Sequence, residues 1–264
     1  MATDSKQLPE VIDPKTDKVH SWPHLVRAEF LCALLSLIGL MVWSLILDAP
    51  LESAADPTKT PNPAKAPWYF LGLQEILVYF DPWMAGVVLP SLIIVGLMVI
   101  PYIDINPNGN GYYTWKERRF AVSMFCIGFL ILWVLLIIVG VFFRGPGWNF
   151  FAPWQPWDTH KVVALTNINL NMFLVENFGL EFLRDPIIAA IFGLGLIGAY
   201  YSIGAFYYMV KVKSSKLLQD LGVVRYGITA FLALTMFALP IKMLLRWFFN
   251  IKYIVTLPWI NMNI

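Results

Sequence analysis

The chain has 264 residues, of which 58% are hydrophobic and only 14% charged, and it carries a net charge of +2. With a mean hydropathy of +0.65, so much apolar surface cannot be hidden inside a soluble domain of this length, which places the chain in a bilayer. The small net charge and scattered basic residues exclude the one-sided electrostatic footprint of a nucleic-acid binder.

Residues Met1 to Trp22 are polar and contain Pro9 and Pro14, unlike a cleavable leader, so the first apolar helix is expected to direct insertion. Crossing a hydrocarbon layer of roughly 30 Å takes about 20 apolar helical residues. Five segments meet that requirement: Leu25 to Leu47, Trp83 to Ile100, Phe120 to Phe143, Pro186 to Val210 and Val223 to Phe248. Pro90 and Pro240 fall inside the second and fifth, where a kink is tolerable because a helix bundle can re-satisfy the freed backbone groups. The expected fold is therefore an all-α polytopic membrane protein with about five transmembrane helices.

The connection Asp48 to Pro82 opens with the proline-rich stretch DPTKTPNPAKAP and continues as WYFLGLQEILVYF, an apolar run too short to span. Such a run predicts a short helix lying along the outer interface. A second long connection, Arg144 to Asp185, begins RGPGWNFFAPWQPWD. Its Gly and Pro forbid a continuous helix, while Trp148, Trp154 and Trp157 suit the headgroup layer. The sharpest basic clusters near helix ends, KERR and KVKSSK, place the N-terminus in the cytoplasm and, with five spans, the C-terminus outside. Phe142, Phe143, Trp247 and Phe248 read as interface anchors, and Gly193, Gly195 and Gly198 as positions of close packing.

Cys32 and Cys126 lie far apart in apolar runs, with no CxxC or CxxCH, and read as small apolar side chains. The three histidines, His20, His24 and His160, all fall outside the expected spans. A haem held by paired histidines between membrane helices is thereby excluded for this chain alone. GxxxxGK[ST], GxGxxG and HExxH are also absent, so any redox metal is expected on another chain.

WPHLVRAEF and its helix, ADPTKTPNPAKAPWYFLGLQEIL and the next helix, PYID, and a third helix after KERRF resemble, in that order, the C-terminal half of cytochrome b. The closer resemblance is to its split form, subunit IV, over about residues 20 to 143. It implies a cytoplasmic tail over 1–24, a cytochrome b C-terminal-like domain over 25–143, an outer aromatic loop over 144–185, and two additional helices with a tail over 186–264. It also implies a haem-free subunit of a bacterial quinol:cytochrome c oxidoreductase in the energy-transducing inner membrane. The implied partners are a chain carrying the haem-bearing N-terminal half of cytochrome b with its b-type haems, a Rieske iron–sulfur protein and a c-type cytochrome, in a dimeric complex.

In that family a PEWY motif on the outer loop lines the quinol-oxidation site, its glutamate accepting a proton. The matching residues here are Ala66, Pro67, Trp68 and Tyr69, so proline replaces the glutamate. Oxidising a quinol makes both of its hydroxyls strongly acidic, and the site needs a base. Glu75, two helical turns after Trp68, shares a face with it and is the expected replacement. Tyr69 would hydrogen-bond the quinol, with Pro67, Trp68 and Phe70 packing nearby. The competing arrangement pairs Glu75 with Lys65 or leaves it in outer water. On the cytoplasmic side Arg27, Glu29 and Phe30, at the entry of the first helix, border the quinone-reducing site in the resemblance, although Arg27 and Glu29 also stand where they can snorkel to the interface.

Two other classes compete. A structural subunit would keep the cytochrome b scaffold around an inactive quinol site. A transporter needs midplane charges or paired broken helices, and the sequence offers neither.

Overall fold

The computed structural model describes residues 21–47, 54, 56–106, 115–161, 163, 166–257, 259 and 262–264. Most of the expected cytoplasmic tail, His20 included, lies outside the described residues. Contacts group the chain into two units, Met1–Lys59 and Thr60–Ile264.

The first unit contains α1 (Val26–Ile46), preceded by a wide π-helical turn at Ser21–Leu25. Together they make a span-capable helix over Ser21–Ile46. Further on, the Asp56 carboxylate accepts from the backbone and hydroxyl of Thr58 at 2.9 and 2.7 Å. Those hydrogen bonds hold the Asp56 carboxyl below its ordinary value.

The second unit begins with a proline-rich lead into α2 (Trp68–Tyr79). With 12 residues, α2 is about 18 Å long, too short to cross a bilayer. Four span-capable helices follow, over Met84–Ile103, Arg119–Phe143, Pro186–Lys211 and Lys216–Phe249. With the helix of the first unit they are the five expected from the sequence.

The spans are not uniform helices. A π-helical turn at Met84–Val88 precedes α3 (Leu89–Ile103). Pro90 has no N–H to offer the carbonyl four residues back, so the bonding pattern slips to a wider turn just before it. The next span runs as α4 (Arg119–Phe125), a π-helical stretch at Cys126–Trp133, α5 (Val134–Ile138) and a second π-helical turn at Val139–Phe143. The connection after Arg144 contains an element the sequence did not announce, α6 (Leu170–Phe178). It follows the two-residue strand β1 (Ile168–Asn169) and ends on Gly179 at φ +68°, a left-handed cap that glycine adopts without strain.

The last two spans are α7 (Pro186–Lys211) and α8 (Lys216–Phe249). The Asp185 carboxylate caps the start of α7, accepting from the backbone of Ile187 and Ile188 at 2.8 and 3.2 Å. Gly222, at φ +69° and ψ 172°, breaks the helical path six residues into α8. The apolar span proper therefore begins at Val223, where the hydropathy pattern placed it. After α8 the tail folds back as β2 (Ile251–Tyr253), parallel to β1, and as the small antiparallel pair β3 (Thr256–Leu257) and β4 (Met262–Asn263).

Gly193 serves this tail rather than a neighbouring helix: a Cβ there would sit 2.5 Å from the Ile254 carbonyl oxygen. Among the described residues nothing lies within 4 Å of a Cβ at Gly195 or Gly198, whereas Gly204 meets α8 through Ala230 and Leu234 at 3.3 Å. Of the three glycines expected to pack closely, Gly193 does so within this chain, and Gly204 is a further such position.

The buried core lies under α2, where Ile76, Tyr79, Phe80, Ala85, Leu136 and Met243 cluster. Gly72 lets the helix approach Trp133, whose ring would stand 3.2 Å from a Cβ at that position.

Candidate functional site

α2 buries Leu71, Gly72, Glu75, Ile76 and Tyr79, a stripe of helical period that seats one face on the spans beneath. In the middle of that apolar face stands Glu75, at 0% exposure. A carboxylate out of water needs partners, and Glu75 has three donors. Arg144, just past the end of the Arg119–Phe143 span, forks onto it, with Nε 2.9 Å from Oε2 and Nη2 2.7 Å from Oε1. The Tyr79 hydroxyl donates to Oε1 at 2.9 Å. The remaining Arg144 nitrogen donates to the Trp148 carbonyl at 3.1 Å. Burial, and then the neighbouring Glu75 charge, raise the Tyr79 hydroxyl well above its ordinary value, so it remains a donor.

This arrangement replaces both sequence-based alternatives for Glu75. Lys65 does not pair with it; its ammonium donates to the Val141 carbonyl at 2.7 Å and lies 4.5 Å from the centre of the Trp157 ring. Nor does Glu75 point into water. Arg144 is 69 residues away in sequence, and only the packing of α2 on the third span brings the pair together.

Pro67, Trp68, Tyr69 and Phe70 start α2, and all are exposed. Trp68 and Tyr69 meet edge to face at 5.7 Å between ring centres, and Tyr69 meets Phe70 at 4.9 Å. The tyrosine bonded to Glu75 is Tyr79, whereas Tyr69 belongs to this outward aromatic group. Trp68 lies two helical turns before Glu75, as expected, yet at the start of α2 it is 67% exposed.

Gln74, which sequence reasoning passed over, holds the backbone leading into the motif. Its Oε1 accepts from the Ala66 N–H at 2.8 Å and its Nε2 donates to the Ala64 carbonyl at 2.9 Å. An amide able to donate and accept, nearly two turns into an apolar helix that follows an extended segment, is the signal that could have found it. Arg27, Glu29 and Phe30 all lie in the first turns of α1, in the separate N-terminal unit.

Among the described residues no group of three or more His, Cys, Asp or Glu is placed to hold a metal ion. The sequence placed His24 outside the spans, but it lies near the start of the span-capable helix Ser21–Ile46; His160 stands in a loop with its side chain 94% exposed beside Asp158.

A short helix carrying a buried Glu–Arg pair, seated on helices long and apolar enough to cross a membrane, defines a multi-pass helical architecture. Residues 54–142 are similar to the family described as cytochrome b(C-terminal)/b6/petD; Arg144, α7 and α8 lie beyond the match. Two similar proteins are each named as a menaquinol:cytochrome c reductase cytochrome c subunit. The protein from Bacillus subtilis (strain 168) is 33% identical over 110 residues, which cover 39% of this chain and 41% of that protein. The protein from Geobacillus thermodenitrificans is 30% identical over 132 residues, covering 45% of this chain and 51% of that protein. The chain thus spans about half or less of the length of these relatives. No solved structure matches it significantly.

Proposed function

We propose that this chain is a haem-free subunit of a proton-translocating quinol:cytochrome c oxidoreductase, with α2 forming part of the quinol-oxidation site at the outer face. Arg27, Glu29 and Phe30 border the quinone-reducing site at the inner face. The partners are a haem-bearing cytochrome b N-terminal-half subunit, a Rieske iron–sulfur protein and a c-type cytochrome, assembled as a dimeric complex in a bacterial inner membrane with the N-terminus cytoplasmic. The cytochrome b C-terminal match and the names of the two relatives support this reading.

One observation carries the site assignment: a fully buried carboxylate on the helix that opens with an exposed Pro-Trp-Tyr-Phe group. The aromatic side chains offer a quinol ring flat apolar contact, and Tyr69 offers it a hydroxyl partner. Glu75 is the proton acceptor. Its two oxygens present about four acceptor positions, of which Arg144 and Tyr79 occupy three. The last, on Oε2, is left for an incoming proton. Arg144 orients the carboxylate, and the electrons leave to carriers held by other chains.

The test is Glu75→Gln in the complex purified from membranes, assayed for quinol-dependent cytochrome c reduction between about pH 5 and 9. A general base contributes on the order of 10²-fold or more, so turnover should fall by at least that factor with an altered pH profile. Unchanged turnover across pH removes Glu75 from the chemistry.

A second reading is a structural membrane subunit with no active quinol site, and the two-pronged Arg144 contact favours it, because a carboxylate held on both oxygens is suited to fastening α2 to the span. It predicts that Glu75→Gln lowers stability and leaves turnover per assembled complex intact. Protection or crosslinking of the Pro67 to Glu75 region by a quinol-site inhibitor would argue against it.

A further inference from the structure

Four basic side chains gather where α2, the loop after Arg144 and the tail after α8 meet. Arg144, Lys242 and Arg246 are buried, with 8%, 3% and 9% exposure, and Lys252 is half-buried. Among the described residues the Arg246 guanidinium donates to carbonyl oxygens, those of Thr166 at 3.2 Å and Asn250 at 3.1 Å. Lys242 donates to the Lys252 carbonyl. The Lys252 ammonium makes no hydrogen bond to a described residue and lies 5.4 Å from the centre of the Tyr253 ring.

Two carboxylates act on this cluster, and both are engaged. Glu75 is taken up by Arg144 and Tyr79, and Asp81 accepts from the Tyr253 hydroxyl at 3.0 Å. Cations therefore outnumber anions in a partly desolvated setting, where an uncompensated charge is costly. Burial, and then the Arg246 charge, depress the Lys252 ammonium below its ordinary value, with Asp81 opposing.

A cavity of about 650 Å³ opens onto three of the four, Arg144, Arg246 and Lys252, and among the described residues no Asp or Glu is in its wall. Asn62, Gln74 and Asn167 add polar lining, and Leu77, Val78 and Pro61 an apolar side. Its three cations all lie past residue 142, outside the cytochrome b C-terminal match.

We infer that this cavity binds a phosphate group, presented as the headgroup of an anionic phospholipid. Guanidinium forks and an ammonium are the side chains that recognise phosphate oxygens, and a neutral quinol would leave the excess charge uncompensated. Arg246 stands in the last turn of its span and α2 is too short to cross, so the cavity lies at the membrane boundary, where lipid phosphates are. Its apolar side and its volume suit a glycerol backbone beyond the phosphate.

The test uses the complex purified in detergent, stripped of lipid and exposed to phosphatidylglycerol, phosphatidylcholine or inorganic phosphate, with adducts read by native mass spectrometry. We expect one phosphatidylglycerol per chain, held about tenfold more tightly than phosphatidylcholine, and about tenfold weaker retention in Lys252→Gln. Competition on the unaltered complex gives the same test if that variant fails to assemble: inorganic phosphate displacing the lipid supports the assignment. Phosphate binding without any lipid adduct supports phosphate recognition with a soluble source. No adduct of either kind, equal retention by Lys252→Gln, or a crosslink showing an acidic segment of another subunit seated on Lys252 would overturn it.

Discussion

Removing one member of the Glu75–Arg144 pair leaves the other charge buried without compensation. The Glu75 and Arg144 side chains are 0% and 10% exposed, and breaking such a pair from one side costs about 3–5 kcal/mol. Glu75→Leu and Arg144→Met should each lose roughly that much. The double variant removes both charges together, and an apolar replacement of this kind is often neutral or stabilising. It still orphans the Tyr79 hydroxyl, an unsatisfied buried donor worth about 1–3 kcal/mol, so Tyr79→Phe in the same background should recover most of the residual deficit. The assay is reversible unfolding in mixed micelles followed by circular dichroism, arranged as a double-mutant cycle. Single variants within about 0.5 kcal/mol of the parent, or strictly additive losses, would refute a tightly coupled buried pair.

The other predictions concern the aromatic group, the tail and alkaline pH. Tyr69→Phe should slow quinol oxidation several-fold while changing unfolding free energy by no more than about 0.5 kcal/mol, because the side chain is half exposed; steady-state turnover and the unfolding assay separate the two. Gly193→Ala drives a methyl to 2.5 Å from the Ile254 carbonyl, so an overpacking cost of about 1–3 kcal/mol is expected, with faster hydrogen exchange in β3 and β4 as the readout. The Tyr253 hydroxyl is pushed up to about 12 by burial first and then by its hydrogen bond to Asp81. Its neutral form therefore stabilises the fold fully below the ordinary tyrosine value of 10.0, and that contribution is lost as pH rises from there toward 12. Tyr253→Phe should flatten this part of the alkaline unfolding profile.

The spans were legible because hydrocarbon demands long apolar runs and little else competes with that signal. The start of the last span at Val223 was readable for the same reason, while the preceding turn, Lys216 to Leu221, is polar enough to fall outside the hydropathy pattern although it is helical. Glu75 was legible as a carboxylate in an apolar surface helix. Its partner was not, since the choice between Lys65, water and Arg144 is made by how α2 docks, and no local pattern encodes a contact 69 residues away. Lys242 and Arg246 were not singled out by any sequence pattern. They are buried because the tail returns over them, and that return depends on a close approach at Gly193 and on backbone pairing between β1 and β2. Short α6 was hidden by flanking Gly and Pro signals that correctly marked an irregular connection.

Joining Glu75 to Arg144 also has a mechanical consequence. Arg144 directly follows the last residue of the third span, so the contact rivets an interfacial helix to the tip of a transmembrane rod. Helices of this kind tilt to match the thickness of the surrounding bilayer, and here such a tilt would carry the Trp68–Phe70 platform with it instead of letting it drift among the headgroups.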